Sequence, residues 1–334
     1  MKSSRRMFLG TISASAAALT AGGAAEFPLN ASAPNSDIRR PRIHQNSAAP
    51  PKLRTAYSWW SLIGLPRGGP EWSMEEKFRR VKEAGFEGIE MWVEPKDEPQ
   101  VRRLLDETGL FLGTGGHPNS VDDFKKFLSQ VKRLRAEYIF VHPGNAFMSD
   151  DDAVKLVSDG YKVAYDMGIP MTLETHRGTV TENPYRAIRL VERIPELRLT
   201  GDLSHYGVDG EMGGAPAADL IKRLSPLLDR IETMQTRITN GEQVQVDVGA
   251  GDGKLAQNWV TLWAEGLRRW RSRAQPGDWF PFATELGPPP YSILDLEGKE
   301  ISDRWAQSLV MKRLIAEAWE QSEKKPGPKS QDSK

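Results

Sequence analysis

From about residue 53 to residue 319 the chain repeats one pattern of apolar and polar positions. A short apolar or β-branched run is followed by a polar break, then by apolar residues at helical spacing. The runs predict strands over 53–62, 88–93, 110–114, 138–142, 170–176, 197–203, 231–239 and 279–286. Helices are predicted over 74–84, 121–134, 151–167, 184–193, 217–228, 255–270 and 303–319. The first carries its stripe on Met74, Phe78, Val81 and Ala84, and the second on Phe124, Phe127, Leu128, Val131 and Leu134. Gly85, Gly109 and Gly168 stand at helix ends, where a left-handed residue is favoured. Ser120 and Ser149 are N-cap candidates. Strand alternating with helix implies parallel strands joined by crossover helices. Eight such units over roughly 270 residues predict a single-domain (β/α)8 barrel. A doubly wound open sheet is the main rival, but no Gly-x-Gly-x-x-Gly turn follows the first strand to support its dinucleotide-binding form.

Outside the repeat the composition changes. Ser4-Arg5-Arg6-Met7-Phe8-Leu9 is a twin-arginine pattern, followed by a mildly apolar, alanine-rich stretch from Thr11 to Ala25. Residues 1–33 therefore read as a signal for the twin-arginine (Tat) export pathway, cleaved after about residue 25 or 33, with a periplasmic or secreted destination. The stretch is too short and too weakly apolar for a stable membrane anchor. Residues 34–52, rich in Pro, Ser, Asn and Ala, read as a linker. The barrel is expected over 53–322, and 323–334, which offers nothing apolar to bury, as a disordered tail.

The 334 residues include 45 basic and 45 acidic side chains and no cysteine. Thiolate chemistry, disulfides and cysteine-ligated zinc are thereby excluded. A neutral chain with no basic run in its core gives no electrostatic ground for a nucleic-acid partner.

The chemistry gathers at the predicted strand ends. Met171-Thr-Leu-Glu174-Thr-His176, Leu199-Thr-Gly-Asp202-Leu-Ser-His205 and Phe282-Ala-Thr-Glu285-Leu-Gly287 each run from an apolar segment into a carboxylate, and two of them add a histidine. Glu90, His117, His142, Glu174, His176, Asp202, His205, Gln235, Arg237 and Glu285 all lie at or near C-terminal strand ends, where barrels of this kind place their active sites. Oxygen and imidazole groups arriving from separate strands suit a divalent cation.

On these motifs the chain resembles the xylose isomerase-like TIM-barrel superfamily, which contains sugar isomerases and epimerases and the endonuclease-IV-type nucleases. The resemblance spans about residues 53–322. It implies a divalent metal held by groups from strands five to eight: Glu174, Asp202, Gln235 and Glu285. The family's usual seventh-strand histidine is Gln235 here, in Gln235-Thr-Arg237. An amide carbonyl favours Mn²⁺ or Mg²⁺, with Co²⁺ or Zn²⁺ also admissible. The resemblance further implies Glu174 and Glu285 as the proton-exchanging catalytic pair. Asp202 is then a ligand only, and His205, Arg237, His142, His117 and His176 are substrate-binding. The substrate expected is a non-phosphorylated carbohydrate, because phosphorylated sugars are scarce outside the cytoplasm. Homo-oligomerisation is left open.

Blander readings stand beside these. Glu174 could pair with Arg177 or Arg186, Asp202 could cap its loop, and Glu285 could pair with a basic neighbour. His117, His142, His176 and His205 could serve loop packing, and Trp59, Trp60 and Trp92 could fill the rim rather than stack on a sugar. Isomerase or epimerase chemistry through an enediolate is the first functional expectation. A lyase or hydrolase of 3-keto-sugars or 3-keto-glycosides using the same site is the alternative. A non-catalytic sugar-binding protein and an endonuclease-IV-like nuclease are more remote.

Overall fold

The computed structural model describes residues 48–324, so the signal pattern and most of the linker and tail lie outside the described residues. Eight parallel strands close into a barrel in chain order: β1 (Lys52–Ser58), β2 (Gly88–Glu90), β3 (Phe111–Gly116), β4 (Tyr138–Val141), β5 (Met171–Glu174), β6 (Leu199–Gly201), β7 (Ile231–Thr236) and β8 (Trp279–Thr284). The ring closes where β8 pairs with β1, in register from Lys52↔Trp279 to Tyr57↔Thr284. The open-sheet alternative is thereby excluded. The helices among the described residues are α1 (Met74–Glu83), α2 (Glu98–Thr108), α3 (Val121–Leu134), α4 (Asp150–Asp166), α5 (Pro184–Arg193), α6 (Ser204–Asp209), α7 (Ala217–Leu228), α8 (Lys254–Arg271) and α9 (Arg304–Glu323). None is long and apolar enough to cross a membrane.

The boundaries differ from expectation in an informative way. Most apolar runs outlast their strands, because many residues beyond the last paired position, such as Thr175, Leu203, Ile238 and Leu286, are buried without continuing the ladder. Trp59–Leu62 leaves β1 as a 3₁₀ turn. The helices α2 and α6 are additions. α2 follows an acidic, proline-containing segment that reads as loop, although proline in its first turn suits a helix start. α9 continues through Ser322, which is buried, to Glu323.

Local chemistry sets the helix ends. Ser73, Ser120 and Ser149 each accept a backbone N–H three residues on, and Asn183 does the same for α5. Gly109 ends α2 at φ 65°, a left-handed conformation that costs glycine little. The apolar stripes then seal the barrel's outside. Phe124, Leu128, Val131 and Leu134 of α3 are all buried in the shell between helices and strands. Burying each such side chain contributes about 1.5–3 kcal/mol.

Inside the barrel, alternation puts every second side chain on the inner face. The inner rows are Tyr138-Phe140-His142, Thr172-Glu174-His176, Thr200-Asp202, Thr233-Gln235-Arg237 and Ala283-Glu285. At the N-terminal end, the Arg54 guanidinium lies 4.1 Å over Phe111 and 4.5 Å over Trp279. It also pairs with Glu137 at 2.9 Å. One layer up, Thr172, Thr200 and Thr233 form a buried hydroxyl ladder with two 2.6 Å contacts. Three strands are thus tied together directly beneath Glu174, Asp202 and Gln235.

Candidate metal centre and active-site cavity

Above the threonine layer the inner rows end in polar groups around a cavity of about 440 Å³. Glu90, Glu174 and Glu285 reach it from three strands, with Arg237 as a cation among them. Trp59, Trp60, Trp92, Phe140 and Tyr291 form an aromatic wall. His117, His142 and His176 line one side. Asp202, Gln235 and His205 lie beneath this lining, each no more than 1% exposed.

Oxygen atoms of Glu174, Asp202 and Glu285 all lie within 4.8 Å of one another. A second grouping of the same compactness joins Glu174 to His176 and His205. Several polar atoms here are buried with no hydrogen-bond partner: Glu174 Oε2, Glu285 Oε2, Gln235 Oε1, His142 Nε2, His176 Nδ1, His205 Nδ1 and Arg237 Nη1. Such orphaned polar groups each cost about 1–3 kcal/mol unless something satisfies them. His142 Nε2 and Glu174 Oε2 stand 2.6 Å apart without the alignment of a hydrogen bond. Three carboxylates and an amide oxygen form a donor set that fits a hard divalent cation. The grouping with two imidazoles would suit a borderline one.

Electrostatics point the same way. Burial pushes Glu174 well above the ordinary carboxylate range, and Asp202 adds to it. Glu285 is raised by burial against the opposing pull of Arg237, with Glu174 and Asp202 adding to the rise. Burial lowers His142 and His176 to about 3, and lowers His205 and His117, so these imidazoles are neutral at physiological pH. Burial pulls Arg237 down, but Asp202 and Glu285 more than offset it and hold its guanidinium above its usual range. Its Nη2 contacts Asp202 and lies 3.5 Å from Glu285. Its Nε donates to Ser204 Oγ, which itself donates to Asp202 Oδ1 at 2.5 Å. The Arg237 guanidinium carbon lies 5.1 Å from the Tyr291 ring and 5.6 Å from Trp60, in cation–π range.

The sequence-derived candidates thus converge on one mouth. Glu174 does not pair with Arg186, which is engaged by Asp150 and Glu182. Asp202 caps the start of α6 by accepting from Ser204 N at 3.1 Å, and it also faces the cluster. The four imidazoles are in serial ring contact, His117–His142 at 4.9 Å, His142–His176 at 4.7 Å and His176–His205 at 4.2 Å. His205 sits 3.4 Å from Asp202 and 3.3 Å from Arg237, beneath the lining rather than in it. Trp92 is 41% exposed at the mouth, whereas Trp59 also packs into the core. Sequence reading missed Tyr138 and Tyr291 and gave Glu90 no task. Alternation back from His142 points to Tyr138, while Tyr291 lies in a loop with no periodic signal.

Residues 78–262, more than half of the chain, match the family model described as xylose isomerase-like TIM barrel. The chain belongs to that family. Among solved structures it is similar to a D-tagatose 3-epimerase-like protein, at 18% identity and TM-score 0.53, covering 80% of this chain and 99% of the other. It is also similar to a xylose isomerase-like TIM barrel protein from Mycobacterium smegmatis in complex with magnesium. That pair shares 13% identity and a TM-score of 0.54 over 83% of this chain and all of the other. At these identities the likeness carries the fold. No curated protein matches the chain.

Proposed function

We propose that the protein is a divalent-cation-dependent sugar isomerase or epimerase that moves a proton on a carbon next to a carbonyl. The carrying observation is the meeting of Glu174, Asp202 and Glu285 oxygens within 4.8 Å, with Gln235 Oε1, Glu174 Oε2 and Glu285 Oε2 buried without a hydrogen bond. Glu174, Asp202, Gln235 and Glu285 would hold the cation, with Mn²⁺ or Mg²⁺ favoured by the oxygen-rich set. Bound there, such a cation supplies Lewis-acid stabilisation for the negative charge that develops on substrate oxygens. The family assignment and the epimerase-like and magnesium-bound neighbours agree with this reading.

The protein's own groups divide the remaining work. Glu174 and Glu285 reach the cavity from different strands and exchange the carbon-bound proton as base and acid. Arg237, fixed by Asp202 and Ser204, presents its remaining nitrogen Nη1 to a hydroxyl or developing oxyanion. Neutral His142 and His176 offer hydrogen bonds to substrate hydroxyls without adding charge. Trp60, Trp92 and Tyr291 offer faces for the apolar side of a sugar ring.

A non-phosphorylated substrate fits the same reading, since three carboxyl side chains line the cavity and its one guanidinium is shared with Asp202 and Glu285. The same proposal sets this activity outside the cytoplasm, a reading supported by the Arg5-Arg6 pattern. A second reading, a lyase or hydrolase of 3-keto-glycosides, draws on the cavity's size. Its 440 Å³ falls in the range of about 300–1,000 Å³ usual for small-molecule sites, and Trp92 and Ile63 offer apolar surface at the mouth for a second ring.

Solvent-proton exchange in D₂O with Mn²⁺ tests the reading. Candidate ketohexoses and 3-keto-glucosides should include one that exchanges with wild type and loses exchange by at least about 100-fold in Glu285→Gln, the scale of a general acid–base contribution. Equal exchange by both proteins would remove Glu285 from the chemistry.

A further inference from the structure

Gln235 presents a problem of orientation. A side-chain amide is nearly symmetric in shape, and only its oxygen end can bind a cation. With its nitrogen end turned inward, the same residue would repel one. Something must therefore decide which end faces Glu174, Asp202 and Glu285.

The surroundings supply that decision. Gln235 Nε2 donates to Glu90 Oε1 at 2.8 Å. Tyr138 OH donates to the other oxygen, Glu90 Oε2, at 2.6 Å. All three side chains are buried, and they come from β7, β2 and β4 across the barrel interior. With its carboxyl ionised, both Glu90 oxygens act as acceptors. Flipping the Gln235 amide would set its oxygen against Glu90 Oε1, acceptor against acceptor. In the observed orientation Gln235 Oε1 is buried and has no partner. Tyr138 is itself fixed, because its ring fills the space beside Gly113, where a Cβ would lie 2.2 Å from it.

We propose that Glu90 and Tyr138 are positioning residues that hold the Gln235 amide by its nitrogen, leave its carbonyl oxygen free for a cation, and thereby set the cation affinity of the site. The proposal rests on the reading of Glu174, Asp202, Gln235 and Glu285 as a cation site. It gives Glu90 a task that the proton-transfer chemistry does not use.

The test is a double-mutant cycle read by Mn²⁺ titration calorimetry on the metal-stripped full chain. Glu90→Gln can donate as well as accept, so it permits both amide orientations. Mn²⁺ affinity should fall by about 10- to 100-fold, the scale of lost outer-shell support. Tyr138→Phe, which removes one hydroxyl, should act in the same direction more weakly and serves if Glu90→Gln folds poorly. In a Gln235→Glu background both ends of the side chain are acceptors and orientation no longer matters. There, neither change at Glu90 nor at Tyr138 should weaken binding. An equal loss in both backgrounds would show that Glu90 acts through its charge and would overturn the lock. Unchanged affinity in both single variants, with wild type binding Mn²⁺, would overturn the lock and leave the cation site standing. Wild type that binds no Mn²⁺ would overturn both.

Discussion

Gly113→Ala is the sharpest probe of the barrel interior, because the structure fixes what the added methyl would meet. An ideal Cβ at this position lies 2.2, 2.4 and 2.5 Å from three atoms of Tyr138. Carbon atoms in contact rest about 3.5–4.0 Å apart, so the tyrosine must move by more than about 1 Å. Its ring is wedged between Phe111, at 6.1 Å, and Trp279, at 6.3 Å, in the buried cluster at the barrel's centre. Overpacking of this kind costs about 1–3 kcal/mol. Losing the 2.6 Å bond to Glu90 adds about 1–3 kcal/mol, because both groups are buried. Thermal melting of metal-stripped protein should therefore show Tm lower by about 4–24 °C, at roughly 2–4 °C per kcal/mol for a large domain. Gly214→Ala is the control, since nothing lies within 4 Å of its Cβ and its backbone is not left-handed. The Gly113 variant melting with wild type would refute the packing of Tyr138 against β3, and with it the geometry that holds Glu90.

Other perturbations separate the parts of the site. Saturating Mn²⁺, at 100 times its dissociation constant, should stabilise wild type by about 2.7 kcal/mol, and Asp202→Asn should lose most of that rise in a thermal-shift assay. Gln235→His should shift the ratio of Zn²⁺ to Mn²⁺ affinity toward zinc, since imidazole suits the softer ion; an unchanged ratio in competition titration would deny Gln235 a place among the ligands. Glu90 also carries a pH signature in metal-free protein. Burial raises its pKa to about 8, while Tyr138 and Gln235 pull it down less strongly, so the folded state binds the extra proton and stability falls as pH rises from about 4.5 to 8. Urea unfolding at pH 6 and 8.5 should show Glu90→Gln losing less stability than wild type over that interval; parallel losses would contradict the assignment.

The parts of the molecule that follow from local rules were legible in the sequence. The Ser120 and Ser149 caps, the glycine stops and the alternation of strand with helix depend on neighbours a few residues away. Family-bearing residues such as Glu174, Asp202 and Glu285 stood out because each ends an apolar run. What escaped depends on distant partners. Glu90 and Gln235 are 145 positions apart and Tyr138 and Glu90 are 48 apart, so nothing in either neighbourhood announces the bond. The helix α2 was hidden by the charged and proline-rich segment before it. His205 read as a group facing substrate, yet packing under Arg237 places it beneath the cavity. Strand ends were overextended because residues such as His142 and Asp202 are buried by the mouth of the barrel, and burial alone looks the same as pairing in a sequence.

The central claim is that Glu174, Asp202, Gln235 and Glu285 together hold a divalent cation. Anomalous diffraction from crystals soaked in Mn²⁺ tests it most directly. One strong peak is expected in contact with oxygens of all four residues, with Gln235 contributing Oε1 while its nitrogen stays on Glu90. No peak at the floor of the cavity, or a peak bound by His176 and His205 and away from Asp202 and Gln235, would contradict it.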